Sequence, residues 1–231
     1  MKTKYLNLGM VLFLVLGTLL TAYPVQADDV TPWPVDGFWN YPYDPSIFDW
    51  ISFGLYGATP SNWTCQWDFG DGTTYNECYV DQIKRYTNDG DYTVSVQVTN
   101  DLGEVSTASR VLSVRTHDVA ITKFTVPQSA KAGQTRQLVV NVSNTRYPER
   151  VQVELYKIIN NNELAWVGTL IQYVPVRSGN RTTIFTFNYT FTPEDARVGK
   201  VTFKGMAFIL DAREAWPADN EAIALPTRVS R

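Results

Sequence analysis

From residue 48 to the C-terminus, apolar and polar positions alternate in short runs, each closed by a turn signal. Ile51, Phe53 and Leu55 alternate with Ser52, Gly54 and Tyr56; Cys65, Trp67 and Phe69 share a face opposite Gln66 and Asp68; Tyr92, Val94, Val96 and Val98 line another. A period of two marks a strand with one face buried. After one more such run, Val105 to Val114, comes a polar joint, Arg115-Thr116-His117-Asp118, and the alternation starts again. Leu138, Val140 and Val142 form one set, Val151, Val153 and Leu155 a second, Phe185, Phe187, Tyr189 and Phe191 a third, and Val201, Phe203, Gly205, Ala207 and Ile209 a fourth. Between them fall Ala132-Gly133, Asn144 with Pro148, Asn160-Asn161-Asn162, Ser178-Gly179-Asn180 and the stretch Pro193 to Gly199, where Pro193 to Arg197 is the one predicted helical turn. Short strands with regular turn punctuation predict an all-β chain of two antiparallel sandwiches rather than an α/β enzyme domain.

The first half is organised around Trp67-Asp68-Phe69-Gly70-Asp71-Gly72. Here a strand runs into a corner that glycine, free to take positive φ, can turn. Asp68 and Asp71 are placed to bond neighbouring backbone amides, as Asp side chains do in turns. This segment, Tyr86, and Gly90 followed by Tyr92-Thr93-Val94 resemble the PKD (polycystic-kidney-disease-type) repeat. The resemblance covers residues 29 to 114 and implies an immunoglobulin-like sandwich. Lys84 stands where that family often has histidine. In such a sandwich Trp67 points inward, and Tyr92 is placed for a tyrosine corner, its hydroxyl bonding nearby backbone. The second half resembles the CARDB (cell-adhesion-related) module of bacterial and archaeal surface proteins. The carriers are Asp118-Val119-Ala120-Ile121, Gly133-Gln134-Thr135, Val140 to Asn144, Val151 to Tyr156, Val167-Gly168-Thr169 and Ala218 to Ala222. Together the two resemblances imply tandem immunoglobulin-like antiparallel β-sandwiches, residues 28–114 and 119–231, across the joint 115–118.

At the N-terminus, Lys2 and Lys4 precede the apolar run from Met10 to Leu20, which ends in small residues at Val25-Gln26-Ala27. This is the order of a secretory signal peptide with cleavage after Ala27, and the run is short for a membrane span. No other stretch is apolar enough to cross a bilayer. A soluble protein outside the cytoplasm is expected: secreted, at the cell surface, or in a periplasm. Removing the leader takes the formal charge from −3 to −5. A mildly acidic chain without basic blocks is a poor partner for nucleic acid or anionic lipid. The two cysteines, Cys65 and Cys78, bracket the corner on the strands expected to flank it. In an oxidising compartment they form a disulfide; two buried thiols would fit a reducing one.

The mature chain opens with Trp33, Phe38, Trp39, Tyr41 and Tyr43 among Pro34, Gly37 and Pro42. Proline and glycine forbid a regular helix there. The rings either strap the outside of the first sandwich or form an exposed platform for a sugar or protein partner, the candidate ligand site.

Chemistry is scarce. A single histidine, His117, sits at the joint and cannot assemble zinc or a nucleophilic triad with cysteines that pair with each other. A glycosidase needs two acids at a set separation, but Asp68 and Asp71 belong to the turn. No cofactor or metal is expected. Calcium is the one to consider, through the PKD resemblance, with Asp28, Asp29, Asp71, Asp89 and Asp91 offering oxygens but without the spacing of a recognised calcium loop. The Asn-X-Ser/Thr triplets at Asn62, Asn141, Asn180 and Asn188 are incidental to strand composition. The expected function is non-catalytic adhesion to a surface protein or polysaccharide. The alternative is a carbohydrate-binding module using the N-terminal rings.

Overall fold

The structure is a computed structural model in which residues 33–159, 163–179 and 181–231 are described. The expected leader, Asp28 and Asp29, the turn at Asn160 to Asn162, and Asn180 lie outside these residues. The buried apolar side chains divide into two cores, one running from Val35 to Val114 and the other from Val119 to Val229. Each core lies between two sheets, so the molecule is a pair of tandem immunoglobulin-like sandwiches.

The first sandwich is built from β1 (Phe38–Tyr41), β2 (Ile51–Leu55), β3 (Thr64–Asp68), β4 (Thr74–Tyr75), β5 (Tyr79–Lys84), β6 (Gly90–Thr99) and β7 (Val105–Val114). One sheet has the order β1-β2-β5 and the other β4-β3-β6-β7. Trp67 is fully buried. Its ring meets Phe38 edge-on at 5.1 Å and Phe53 at 5.6 Å, and its indole N–H donates to the Glu77 carbonyl at 2.8 Å. A buried indole donor is thereby satisfied within the core.

Two expectations need correction here. Strand β2 does not alternate, because all five of its residues are buried. Its second face is roofed: Trp39 lies over Gly54 so closely that a Cβ there would sit 2.5 Å from the indole, and Ser52 Oγ bonds Asp81 at 3.3 Å and the Gln82 amide at 3.1 Å. Cys78 does not lie in a strand but in the bend before β5. The disulfide it forms with Cys65, with Cα atoms 4.8 Å apart, therefore ties one sheet of the sandwich to the other.

The second sandwich contains β8 (Val119–Thr125), β9 (Ser129–Lys131), β10 (Thr135–Asn144), β11 (Glu149–Ile158), β12 (Leu164–Val174) and β13 (Thr183–Thr190). After helix α1 (Pro193–Val198) come β14 (Lys200–Ile209), β15 (Glu221–Ile223) and β16 (Thr227–Ser230). The smaller sheet runs β13-β10-β8 and the larger β12-β11-β14-β16-β9, with β15 on β14. Among the described residues only the β16–β9 pair is parallel. The four predicted apolar sets supply this core, with Leu138, Val140, Val142, Val151, Val153, Leu155, Phe185 and Phe203 all fully buried. The predicted helical turn is there because its ends are capped. Thr192 and Asp195 form a capping box, Pro193 opens the helix, and Gly199 closes it at φ 83°. Among the described residues no helix is long and apolar enough to cross a membrane.

Candidate functional site

The Trp67–Gly72 corner is a structural device. The Asp68 carboxylate accepts the Gly70 amide at 2.8 Å, and Asp71 accepts the amide and the hydroxyl of Thr73 at 3.2 and 2.7 Å. Gly70 has φ +73°, and a Cβ on it would stand 2.6 Å from the Thr93 carbonyl oxygen. Gly72 is also left-handed, but open space surrounds it. Lys84, at the family's histidine position, turns inward to pair with Asp71 and Thr73 Oγ, and its ammonium lies over the rings of Tyr86 and Phe69 at 4.5 and 5.0 Å. Burial works against the charged form of Asp71, but the bonds from Lys84 and Thr73 outweigh it and hold the carboxyl below the usual carboxylate range. The tyrosine corner is present: Tyr92 stacks on Tyr86 at 4.0 Å and donates its hydroxyl to the Asn88 carbonyl at 2.9 Å.

The N-terminal rings do not form one platform. Phe38 is only 1% exposed and belongs to the core, since β1 is a true edge strand whose alternate residues point inward. Trp39 is half-buried on Gly54, with its indole N–H donating to Leu55 O at 3.1 Å. Trp33 is partly buried against Trp63, edge to face at 5.4 Å. Tyr41 and Tyr43 remain exposed, at 66% and 80%, but their planes meet at 83°. Two rings at right angles cannot both lie flat on one sugar chain. The strap reading fits Trp33 and Trp39, the core claims Phe38, and Tyr43 borders a groove of about 410 Å³ between the sandwiches that Arg110, Arg115, His117 and Asp211 also line.

At the joint each candidate acid already has a partner. Asp89 accepts Thr116 Oγ at 2.6 Å and the Tyr147 hydroxyl at 3.0 Å, with Arg146 at 3.3 Å. Asp91 holds Ser113 and Arg115, both at 2.7 Å. With Asp71 on Lys84, the three described carboxylates considered for calcium are spoken for separately. His117 Nδ1 is 2.6 Å from Glu149 Oε1, and its ring packs on Tyr147 at 4.9 Å, a post at the joint. The segment after β14 completes the contact between sandwiches: Arg213 reaches Asp44 and Asp49, the Ala215 amide donates to His117 O at 2.8 Å, and Trp216 meets Phe48 at 5.7 Å. Among the described residues no three His, Cys, Asp or Glu side chains converge as a metal site.

The surface that sequence reasoning missed is the outer face of the larger sheet. On β12 the residues Leu164, Trp166, Ile171 and Tyr173 are exposed, at 40, 65, 52 and 62%. Trp166 and Tyr173 are seven apart, so strict alternation would put them on opposite faces. A bulge at Val167 changes the parity: Leu155 pairs Gly168, but Tyr156 pairs Trp166. Trp166, Ile171 and Tyr173 consequently stand opposite Tyr156, Gln152 and Arg150 on one face. Next across the sheet, Tyr156 and Gln152 face Lys204 and Phe208 of β14. Polar groups sit between the rings: Gln152 donates to Glu154 at 2.7 Å, Tyr156 to Glu154 at 2.5 Å, and Lys204 pairs Glu221 at 2.6 Å. The hydrogen bond to Glu154 holds the Tyr156 phenol above its ordinary pKa. Only the bulge, seen in register, reveals this arrangement.

The PKD domain family model matches residues 51–114. No curated protein matches the chain. Among solved structures, the CARDB domain of a Pyrococcus furiosus protein, in complex with di-metal ions, aligns at 16% identity over 50% of this chain and 90% of its own, with a TM-score of 0.37. Fibronectin(III)-like modules of Clostridium thermocellum CbhA align at 14% over 86% and 90%, with 0.38. A Bacteroides ovatus glucan-utilization protein in complex with a mixed-linkage heptasaccharide aligns at 14% over 81% and 42%, with 0.27. Residues 51–114 thus match the PKD domain model, within an all-β architecture of two immunoglobulin-like sandwiches.

Proposed function

We propose that this protein is an exported, non-catalytic binding protein that holds a polysaccharide at the cell exterior on the outer face of its second sandwich. The observation that carries the reading is the exposed row Trp166, Ile171 and Tyr173, brought onto one face by the bulge in β12. A sheet face is flat, its rings offer apolar surface to sugar faces, and the interleaved Gln152, Glu154 and Tyr156 offer donors and acceptors to hydroxyls. Export is supported by the N-terminal pattern and by the disulfide, which persists in oxidising compartments.

The test is retention of residues 28–231 on a polysaccharide panel, beside Trp166→Ala and Tyr43→Ala. Trp166→Ala should weaken retention about tenfold or more, the effect of losing an aromatic anchor worth roughly 1–2 kcal/mol. Its melting temperature should stay put, because the ring is largely in solvent. Loss in Tyr43→Ala alone would move the site to the N-terminal rings and sink the proposal. A second reading rests on the edge of β12, which among the described residues pairs only with β11 and is open to strand addition by a protein partner. Capture of an envelope protein that Trp166→Ala leaves unchanged would favour that reading.

A further inference from the structure

Strand β7 carries an arginine where its alternation predicts an apolar side chain. Ala108, Leu112 and Val114 are buried in the first core, and Arg110 shares their parity, standing opposite the fully buried Val94. A charge at such a position is costly unless it is bonded or paired. Arg110 donates to Oδ1 of the fully buried Asn40, and its guanidinium carbon lies 4.7 Å from the centre of the Phe38 ring. Asn40 is fixed in turn by donating to the Pro42 carbonyl. Among the described residues no carboxylate pairs with Arg110. A guanidinium has five N–H donors in a planar fork, so most of them are uncommitted.

Arg110 lines the groove of about 410 Å³ between the sandwiches, with Tyr43, Asp44, Arg115, His117 and Asp211. The other charges there are matched: Arg115 holds Asp91 at 2.7 Å, Arg213 holds Asp44 at 3.2 Å, and Arg150 reaches Asp211 at 3.5 Å. His117 is bonded to Glu149. Arg110 is left as the unbalanced cation of the groove. The groove also lies at the end of the exposed β12 face. Arg150, which reaches Asp211 in the groove, stands opposite Tyr173 in the sheet register, and the bond from Glu149 to His117 sets this end of the sheet at the joint. From Trp166 to Tyr173 the row runs about 20 Å along the strand toward that end.

We propose that the β12 face and the groove form one track for a polysaccharide whose sugars carry carboxylates, of the uronic acid class, with Arg110 gripping one carboxylate in the groove. The inference rests on the polysaccharide-binding function proposed for the β12 face. A planar fork bonds a planar carboxylate through two parallel N–H···O contacts, which an ammonium cannot do. One unbalanced positive charge matches one singly charged group. Asn40 and the Phe38 ring hold the guanidinium in place before the ligand arrives, so little side-chain freedom is lost on binding. The chain as a whole is acidic, so the attraction is local, acting within about 8–10 Å at physiological salt.

The experiment is titration of residues 28–231 with polygalacturonate, with the same polymer methyl-esterified, and with a neutral β-glucan, beside Arg110→Met, Arg110→Lys and Trp166→Ala. The acid form should bind about tenfold or more tighter than the ester, the effect of one charge-assisted bidentate contact. Arg110→Met keeps an apolar stem over Phe38 and should bring the acid down to the level of the ester. Arg110→Lys, with the charge but no fork, should recover only part of the difference. Melting curves show that the variants fold, and the comparison of acid with ester in the unsubstituted protein needs no variant. Equal binding of acid and ester, lost in Trp166→Ala, would overturn this inference and leave the polysaccharide function standing. So would a preference for the acid that Arg110→Met leaves intact. Binding of no polymer would sink the polysaccharide function and this inference with it. A hexaglutamate peptide bound more tightly than polygalacturonate, and released by Arg110→Met, would also overturn it and give the groove to a protein partner.

Discussion

Lys84 is a cation 5% exposed, resting between two ring faces and held by one carboxylate. That arrangement predicts an asymmetry between its partners. Replacing Asp71 by Ala strands the ammonium, and uncovering a buried charge costs roughly 3–5 kcal/mol. Asp71 is 23% exposed, so water reaches the site and the cost drops to about 2–3 kcal/mol. Replacing Lys84 by Met keeps the stem between Tyr86 and Phe69 and leaves Asp71 with its Thr73 bonds and some water; about 1 kcal/mol or less is expected. The double variant should resemble Lys84→Met, because the penalty of Asp71→Ala disappears once no charge is buried. Hydrogen exchange on β6 amides of the full mature chain reads the first sandwich's own opening, and scanning calorimetry should show Asp71→Ala lowering its transition by about 10 °C or more. The pH dependence has a fixed sign. The folded Asp71 pKa lies below its unfolded value, so its contribution is present above about pH 4 and is lost as pH falls through the folded pKa. Costs that are equal for the two single variants, or additive in the double, would refute the reasoning.

Two further outcomes follow from the same structure. Gly70→Ala should destabilise the first sandwich by about 2 kcal/mol or more, because a left-handed φ and a Cβ 2.6 Å from Thr93 O act together, while Gly72→Ala, with open space around it, should cost only the roughly 1 kcal/mol of backbone strain; urea unfolding decides. Arg213→Ala, which releases Asp44 and Asp49, should broaden the interdomain distribution seen by small-angle scattering while leaving each sandwich's exchange protection intact. A single unchanged shape would show that the other contacts suffice.

A local period or a turn residue dictated the parts of this fold that could be read along the chain. The apolar sets from Leu138 to Ile209 became the second core because a two-residue period leaves a strand one apolar face to bury. Asp68, Gly70 and Asp71 shaped their corner through bonds to neighbours within a few residues, and Tyr92 its corner through a backbone carbonyl four residues back. Tertiary structure decided the rest, where a residue's environment comes from distant chain. Ser52 and Gly54 are buried because β1 and Trp39 roof them, and Phe38 is core because its strand completes a sheet. The face shared by Trp166 and Tyr173 exists only through a bulge, which shifts parity by one residue and leaves no mark in composition. Arg213 and Asp49, far apart in the chain, meet because the segment after β14 folds back onto the first sandwich. No periodicity encodes that meeting, since a long-range ion pair is fixed by the packing of whole sheets and not by any neighbour in the chain.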